Sequence, residues 1–175
     1  SASVRLVVEL LRFSNCLERN DRERYYAAAF AVKALAALRG IDAQRSSLKE
    51  EKDSFFVACA WNSKKNRAMV WACPNSFLGY DIIGVLNLWW VSDFVFPCVA
   101  GKRGCSLAAS TGFMDKMASA CVVQRHFREL AEVLGMPFEA AKVIRRHSWR
   151  HWAANITRVA EFSEAKKAQV GRWGA

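Results

Sequence analysis

A chain of 175 residues is enough for one compact domain with its own core, or for a large part of one. An apolar share of 53% with 12% aromatic residues excludes an extended disordered chain. A formal net charge of +10 suits a polyanionic partner, nucleic acid ahead of an anionic membrane surface.

In chain order, Val4 to Leu17 carries Leu6, Val7, Leu10 and Leu11 at helical spacing and predicts a first helix, followed by a charged cluster from Glu18 to Arg24. Tyr25 to Leu38 is alanine-rich, with Phe30, Val32, Leu35 and Leu38, and predicts a second, well-buried helix. Gly40 is expected to loosen the chain just after it. Asp53 to Cys73 changes character. Phe55–Trp61 and Ala68–Cys73 are short β-prone runs around the polar loop Asn62–Arg67, which predicts a β-hairpin.

Gly79 to Ala100 is the most hydrophobic stretch, but Asp81, Asn87, Asp93 and Pro97 interrupt it. A membrane span needs about 20 predominantly apolar residues, so a buried helix ending near Pro97 is expected instead. Gly101-Lys102-Arg103-Gly104 reads as a basic turn. Phe113 to Leu134 reads as one long amphipathic helix, with Met117, Cys121, Phe127, Leu130 and Leu134 facing inward. Gly135-Met136-Pro137 ends it, a short helix or turn covers Phe138 to Ile144, and two further helices are expected over Ser148–Ala160 and Ser163–Val170. Most of the seven tryptophans are expected in the core.

The six cysteines (Cys16, Cys59, Cys73, Cys98, Cys105 and Cys121) form no C-x-x-C pair, and only three histidines are present. That pattern argues against a zinc site, so no metal is expected. With no signal peptide visible, free thiols in a reducing compartment are the default. The chain begins at Ser1 and reads as a piece of a longer protein.

Chemistry concentrates in Arg146-His147-Ser148-Trp149-Arg150-His151, followed by Gly171-Arg172-Trp173. His147 and Arg150, three positions apart on one helix, can reach the same anion. Arginine suits an oxyanion because its planar fork stays charged and donates two hydrogen bonds. An H-x-x-R pair alone is more often a basic helix N-terminus than a site. Here Trp173 lies 26 positions beyond the histidine, counted from 147 to 173.

This order and spacing resemble the second conserved box of tyrosine recombinases, the phage-integrase family of DNA-breaking and rejoining enzymes. The resemblance implies an earlier arginine followed three residues later by an acid, and Leu38-Arg39-Gly40-Ile41-Asp42 matches. Arg39 would bind the phosphate, and Asp42 would support the architecture and a neighbouring histidine or arginine. The leucine-rich tail of that box is replaced by Ala43-Gln44-Arg45-Ser46-Ser47, which leaves Arg45 as a rival for the first arginine. A hairpin lysine is also implied, and Ser63-Lys64-Lys65-Asn66-Arg67 supplies one 25 positions after Arg39. Lys64, with Lys65 close behind, would be general acid to the leaving 5′ oxygen. Trp173 would donate its indole N–H to the phosphate. Lys65, Arg67, Arg146, His151 and Arg172 are the further candidates for DNA contacts.

The implied fold is mainly α with a small β-hairpin or sheet, like a tyrosine-recombinase catalytic domain. Residues 1–175 would form a single catalytic domain truncated at its C-terminus, without the N-terminal core-binding domain. The implied function is DNA cleavage and rejoining in recombination or integration by a mobile element. It would proceed through a phosphotyrosyl intermediate, need no cofactor, and take place on double-stranded DNA as a homo-tetramer. The protein would lie with the DNA, in a nucleus or in a bacterial cytoplasm or nucleoid. In that family the nucleophile sits about nine residues past the tryptophan position, near position 182; Tyr25, Tyr26 and Tyr80 precede the box and cannot fill that place. The given segment is therefore expected to bind DNA without completing catalysis. Two other readings stay open: a type IB topoisomerase-like protein, which generally has lysine or arginine at the histidine position, and a non-catalytic basic helical DNA-binding module.

Overall fold

The computed structural model describes residues 4–63, 67–90 and 93–143. The first helix, α1 (Val4–Ser14), buries Leu6, Val7, Leu10 and Leu11, the apolar face read from the sequence. It packs along α2 (Asp21–Leu35). Asn20 caps α2 by accepting the Glu23 N–H at 2.8 Å, and Asp21 and Glu23 in the first turn complement the helix dipole. From Tyr25 to Leu35 every residue of α2 is buried, so this helix is the axis of the molecule.

The end of α2 differs from expectation. Ala37, not a glycine, takes the left-handed conformation (φ 52°). Leu38 N–H donates to Lys33 C=O at 3.0 Å and Ala37 N–H to Ala34 C=O at 3.2 Å, the paired bonds of a Schellman turn. Gly40 instead opens a five-residue helix, α3 (Gly40–Gln44).

Three antiparallel strands follow in the order β1 (Ser46–Glu51), β2 (Phe55–Ser63) and β3 (Arg67–Pro74). The hairpin over residues 55–74 is as the sequence predicts, with Ala58 opposite Trp71 and Ala60 opposite Met69. The added strand β1 pairs Ser46 with Ala60. A short ladder of β4 (Ser76–Phe77) and β5 (Tyr80–Asp81) closes through Leu78 and Gly79, both at positive φ, as a two-residue hairpin turn requires.

The hydrophobic stretch to Ala100 is not one buried helix. Among the described residues it holds β5, then α4 (Ile83–Leu86) and then β6 (Pro97–Ala100). Its apolar side chains still reach the core, since Val85, Leu86, Trp90, Val95 and Phe96 are all buried, but they do so through short irregular pieces. The long helix expected over Phe113–Leu134 is also divided. Gly112–Met117 is β7, paired with β6, and α5 (Ala120–Val133) begins only where the Ser119 side chain accepts the Val122 N–H at 3.3 Å. Met117 therefore lies on a strand and Cys121 is exposed, whereas Phe127 and Leu130 are buried as expected. A short helix, α6 (Phe138–Val143), follows Pro137. The helices expected over Ser148–Ala160 and Ser163–Val170 lie outside the described residues. The sheet content exceeds the single hairpin read from the sequence.

Aromatic rings join these pieces. Phe30 of α2 meets Phe96 at 5.1 Å and Phe127 of α5 at 5.2 Å. Trp71 and Trp90 stack at 5.9 Å under the edge of Phe56. Trp71 and Trp90 are core residues as expected, but Trp61 is 40% exposed. No helix among the described residues is long and apolar enough to cross a membrane.

Candidate active site

The Schellman turn at Ala37 buries Leu38 and delivers Arg39 to the head of α3. Arg39 has extended backbone angles (φ −70°, ψ 154°) and its C=O accepts the Ala43 N–H. Its side chain is half-buried and forms no ion pair among the described residues. Its planar fork of five donors is the kind of group that binds an oxyanion. Three residues on, Asp42 is only 1% exposed. A carboxylate buried that deeply is costly unless polar groups compensate it.

The segment that departs from the recombinase pattern is internally satisfied. Buried Gln44 donates its side-chain amide to Ala118 C=O at 2.7 Å, tying α3 to the approach to α5. Ser46 Oγ donates to Asp42 C=O and accepts the Trp71 indole N–H at 2.8 Å, while the Trp90 indole N–H donates to Ser46 C=O at 3.1 Å. Polar groups thus do the anchoring that a run of leucines would do by packing. Ser46 carried no sequence signal of this role.

Arg45, the rival arginine, closes α3 at its C-cap and sets its guanidinium over the Trp61 ring, 5.6 Å from the centroid. The Trp61 N–H donates to Arg45 C=O at 2.8 Å, and the indole N–H to Asp93 C=O at 2.6 Å. The root of the β2–β3 hairpin is therefore bonded directly to the end of α3. Trp61 was missed as a site neighbour, although the signal was there. Phe56, Ala58 and Ala60 point inward, so the strand period turns Trp61 outward.

Of the sequence-derived candidates, Arg39 stands at the N-cap of α3, Asp42 lies within it, and Arg67 opens β3. Lys64, Lys65, Arg146, His147, Arg150, His151, Arg172 and Trp173 lie outside the described residues. Tyr25 and Tyr26 are spoken for by the core. Their hydroxyls donate to Val95 C=O (2.7 Å) and Pro97 C=O, and burial drives both phenols well above their ordinary pKa. Tyr80 accepts a hydrogen bond from Arg12 at 3.3 Å. No cluster of metal-ligating side chains occurs among the described residues.

No family model matches this chain, and no curated protein does. Solved structures do. XerH site-specific recombinase bound to palindromic difH substrate, a post-cleavage complex, superposes with a TM-score of 0.61 and 10% identity, over 98% of this chain and 45% of its own. A Flpe–Holliday junction complex gives a TM-score of 0.58 and 14% identity over 100% of this chain and 46% of its own. An FLP recombinase–Holliday junction complex gives 0.57 and 13%, over 100% and 44%. The chain spans less than half the length of these recombinases. Identities this low speak to fold, and on that level the chain has the mixed helix and small antiparallel-sheet architecture of tyrosine-recombinase catalytic domains.

Proposed function

We propose that this chain is the catalytic domain of a site-specific DNA recombinase or integrase of the tyrosine class, working on duplex DNA as a homo-tetramer. One observation carries the reading furthest. In a fold shared with recombinases, Arg39 stands at the head of α3 without an ion pair among the described residues, and the root of the basic hairpin is bonded to that helix's other end. Arg39 is preferred to Arg45 as the first arginine because Arg45 already lies against Trp61.

In the proposed reaction, a tyrosine near position 182, its phenolic proton released to solvent, would attack the phosphorus, at the spacing the family resemblance implies (about nine positions past Trp173). A bond from its oxygen to phosphorus forms and the bond to the 5′ oxygen breaks, leaving a 3′-phosphotyrosyl link. Arg39, Arg150, His147 and the Trp173 indole would hold the non-bridging oxygens as charge builds on them. Lys64 would give its proton to the departing 5′ oxygen. Asp42 would steady the pocket, and Lys65, Arg67, Arg146, His151 and Arg172 would contact the DNA. The histidine of the H-x-x-R box favours a recombinase over a type IB topoisomerase. A protein of this function, in a mobile element, would reside with the DNA.

The test is duplex binding as a function of salt. Each phosphate contact contributes a slope of about 0.9 in log affinity against log salt. Arg39→Ala is expected to weaken binding and shallow the slope by about that amount. With the tyrosine-bearing segment present, Arg150→Ala should abolish strand cleavage. Salt-independent binding, or cleavage untouched by Arg150→Ala, would refute the assignment.

A further inference from the structure

The β6–β7 hairpin carries a feature that the candidate pocket does not use. Its turn, Gly101-Lys102-Arg103-Gly104, is exposed throughout, and neither Lys102 nor Arg103 forms an ion pair among the described residues. The loop around it is built rather than loose. Cys105 N–H donates to Lys102 C=O at 3.0 Å, and Thr111 N–H to Ala100 C=O at 2.8 Å. Leu107 N–H donates to the Glu129 carboxylate on α5 at 2.9 Å, and Ser110 Oγ donates to Leu107 C=O at 2.7 Å while accepting from Arg22 Nε at 3.1 Å. Gly101 sits at φ 144°, a conformation that side-chain-bearing residues rarely adopt, and a Cβ there would press on Cys105 Sγ at 2.8 Å. Arg22 likewise forms no ion pair among the described residues.

The hairpin as a whole bears Lys102, Arg103 and Lys116 against one carboxylate, Asp115. It stands beside the first turn of α2 through Arg22, whereas Arg39 follows the far end of that helix. From Arg22 to Leu35 the helix rises about 20 Å. That is the length of about six base-pair steps at 3.4 Å each.

We infer that Lys102 and Arg103 form a second, separate contact to the DNA backbone, displaced along the duplex from the candidate pocket. The inference rests on the DNA-binding reading above and adds a surface to it. A turn fixed on both flanks presents its two cations with the backbone ordering cost already met during folding, so more of each phosphate contact appears as affinity. The contact is to phosphates and is independent of base sequence.

The experiment compares the salt dependence of duplex binding for the wild-type chain, the Lys102→Ala/Arg103→Ala variant, and a control in which Arg5 and Lys49, two other exposed cations, become alanine. The first variant should lower the slope by about 1.8, two contacts at about 0.9 each, while the control stays near wild type. An unchanged slope in the first variant overturns the inference, and so does an equal fall in the control, which would report net charge alone. Failure of the wild-type chain to bind duplex DNA would sink the functional reading itself.

Discussion

At the scale of single residues, the position of Arg39 depends on a strained neighbour. Ala37 occupies the left-handed region at φ 52°, where a non-glycine residue costs roughly 1–2 kcal/mol. The Schellman bonds and the burial of Leu38 hold it there. Ala37→Gly relieves that strain but frees the unfolded chain, an opposing effect of about 0.4–1 kcal/mol. The expected outcome is a net gain between about 0 and 1.6 kcal/mol in chemical denaturation, the strain relief less the entropic cost. A loss of stability would mean that the Ala37 methyl contributes packing that outweighs its strain. Ser46 shows the complementary case, one hydroxyl bonded at once to α3 and to β3.

At the scale of elements, Glu129 is the joint between α5 and the loop that precedes β7. Burial pushes its carboxyl upward, but hydrogen bonds from His126 and the Leu107 N–H, with the charge of Arg125, win and leave its pKa lowered. A carboxyl with a lowered folded-state pKa stabilises the fold above its unfolded value near 4.5, and that contribution is lost as pH falls through the folded value. Melting temperature should therefore drop on acidification through the carboxylate range, and Glu129→Gln should flatten part of that drop while costing stability at neutral pH. Identical acid limbs in the two proteins would remove Glu129 from the account. The same joint orders the basic turn, so the variant should also loosen the 101–111 loop, as amide exchange at Leu107 would report.

At the scale of the molecule, one aromatic seam makes the helices and sheets cooperate. Phe30 touches Tyr26, Phe96 and Phe127, so it links α2 to the strand approach and to α5. Phe30→Ala should cost about 3–5 kcal/mol, the range for a fully buried ring. Circular dichroism and fluorescence should still report one coincident transition. Separate transitions would show that the sheet and the helices unfold apart.

Much of this arrangement was legible beforehand. The 3.6-residue spacing of Leu6, Val7, Leu10 and Leu11, the apolar body of α2, and the alternating hairpin runs each carry their signal within a dozen residues. Arg39 and Asp42 were singled out through the family resemblance, and the structure sets them three residues apart at the head of α3. What sequence by itself could not decide was the fate of apolar stretches without a period. Residues 79–100 fill the core in fragments, and Phe113–Met117 becomes a strand because Pro97 and Val99, far back in the chain, supply its partners. Strand pairing is a contact between distant segments, so no local window contains it. The joining of α3 to the hairpin root through Arg45 and Trp61 is of the same kind, decided only when the tertiary fold brings the two together.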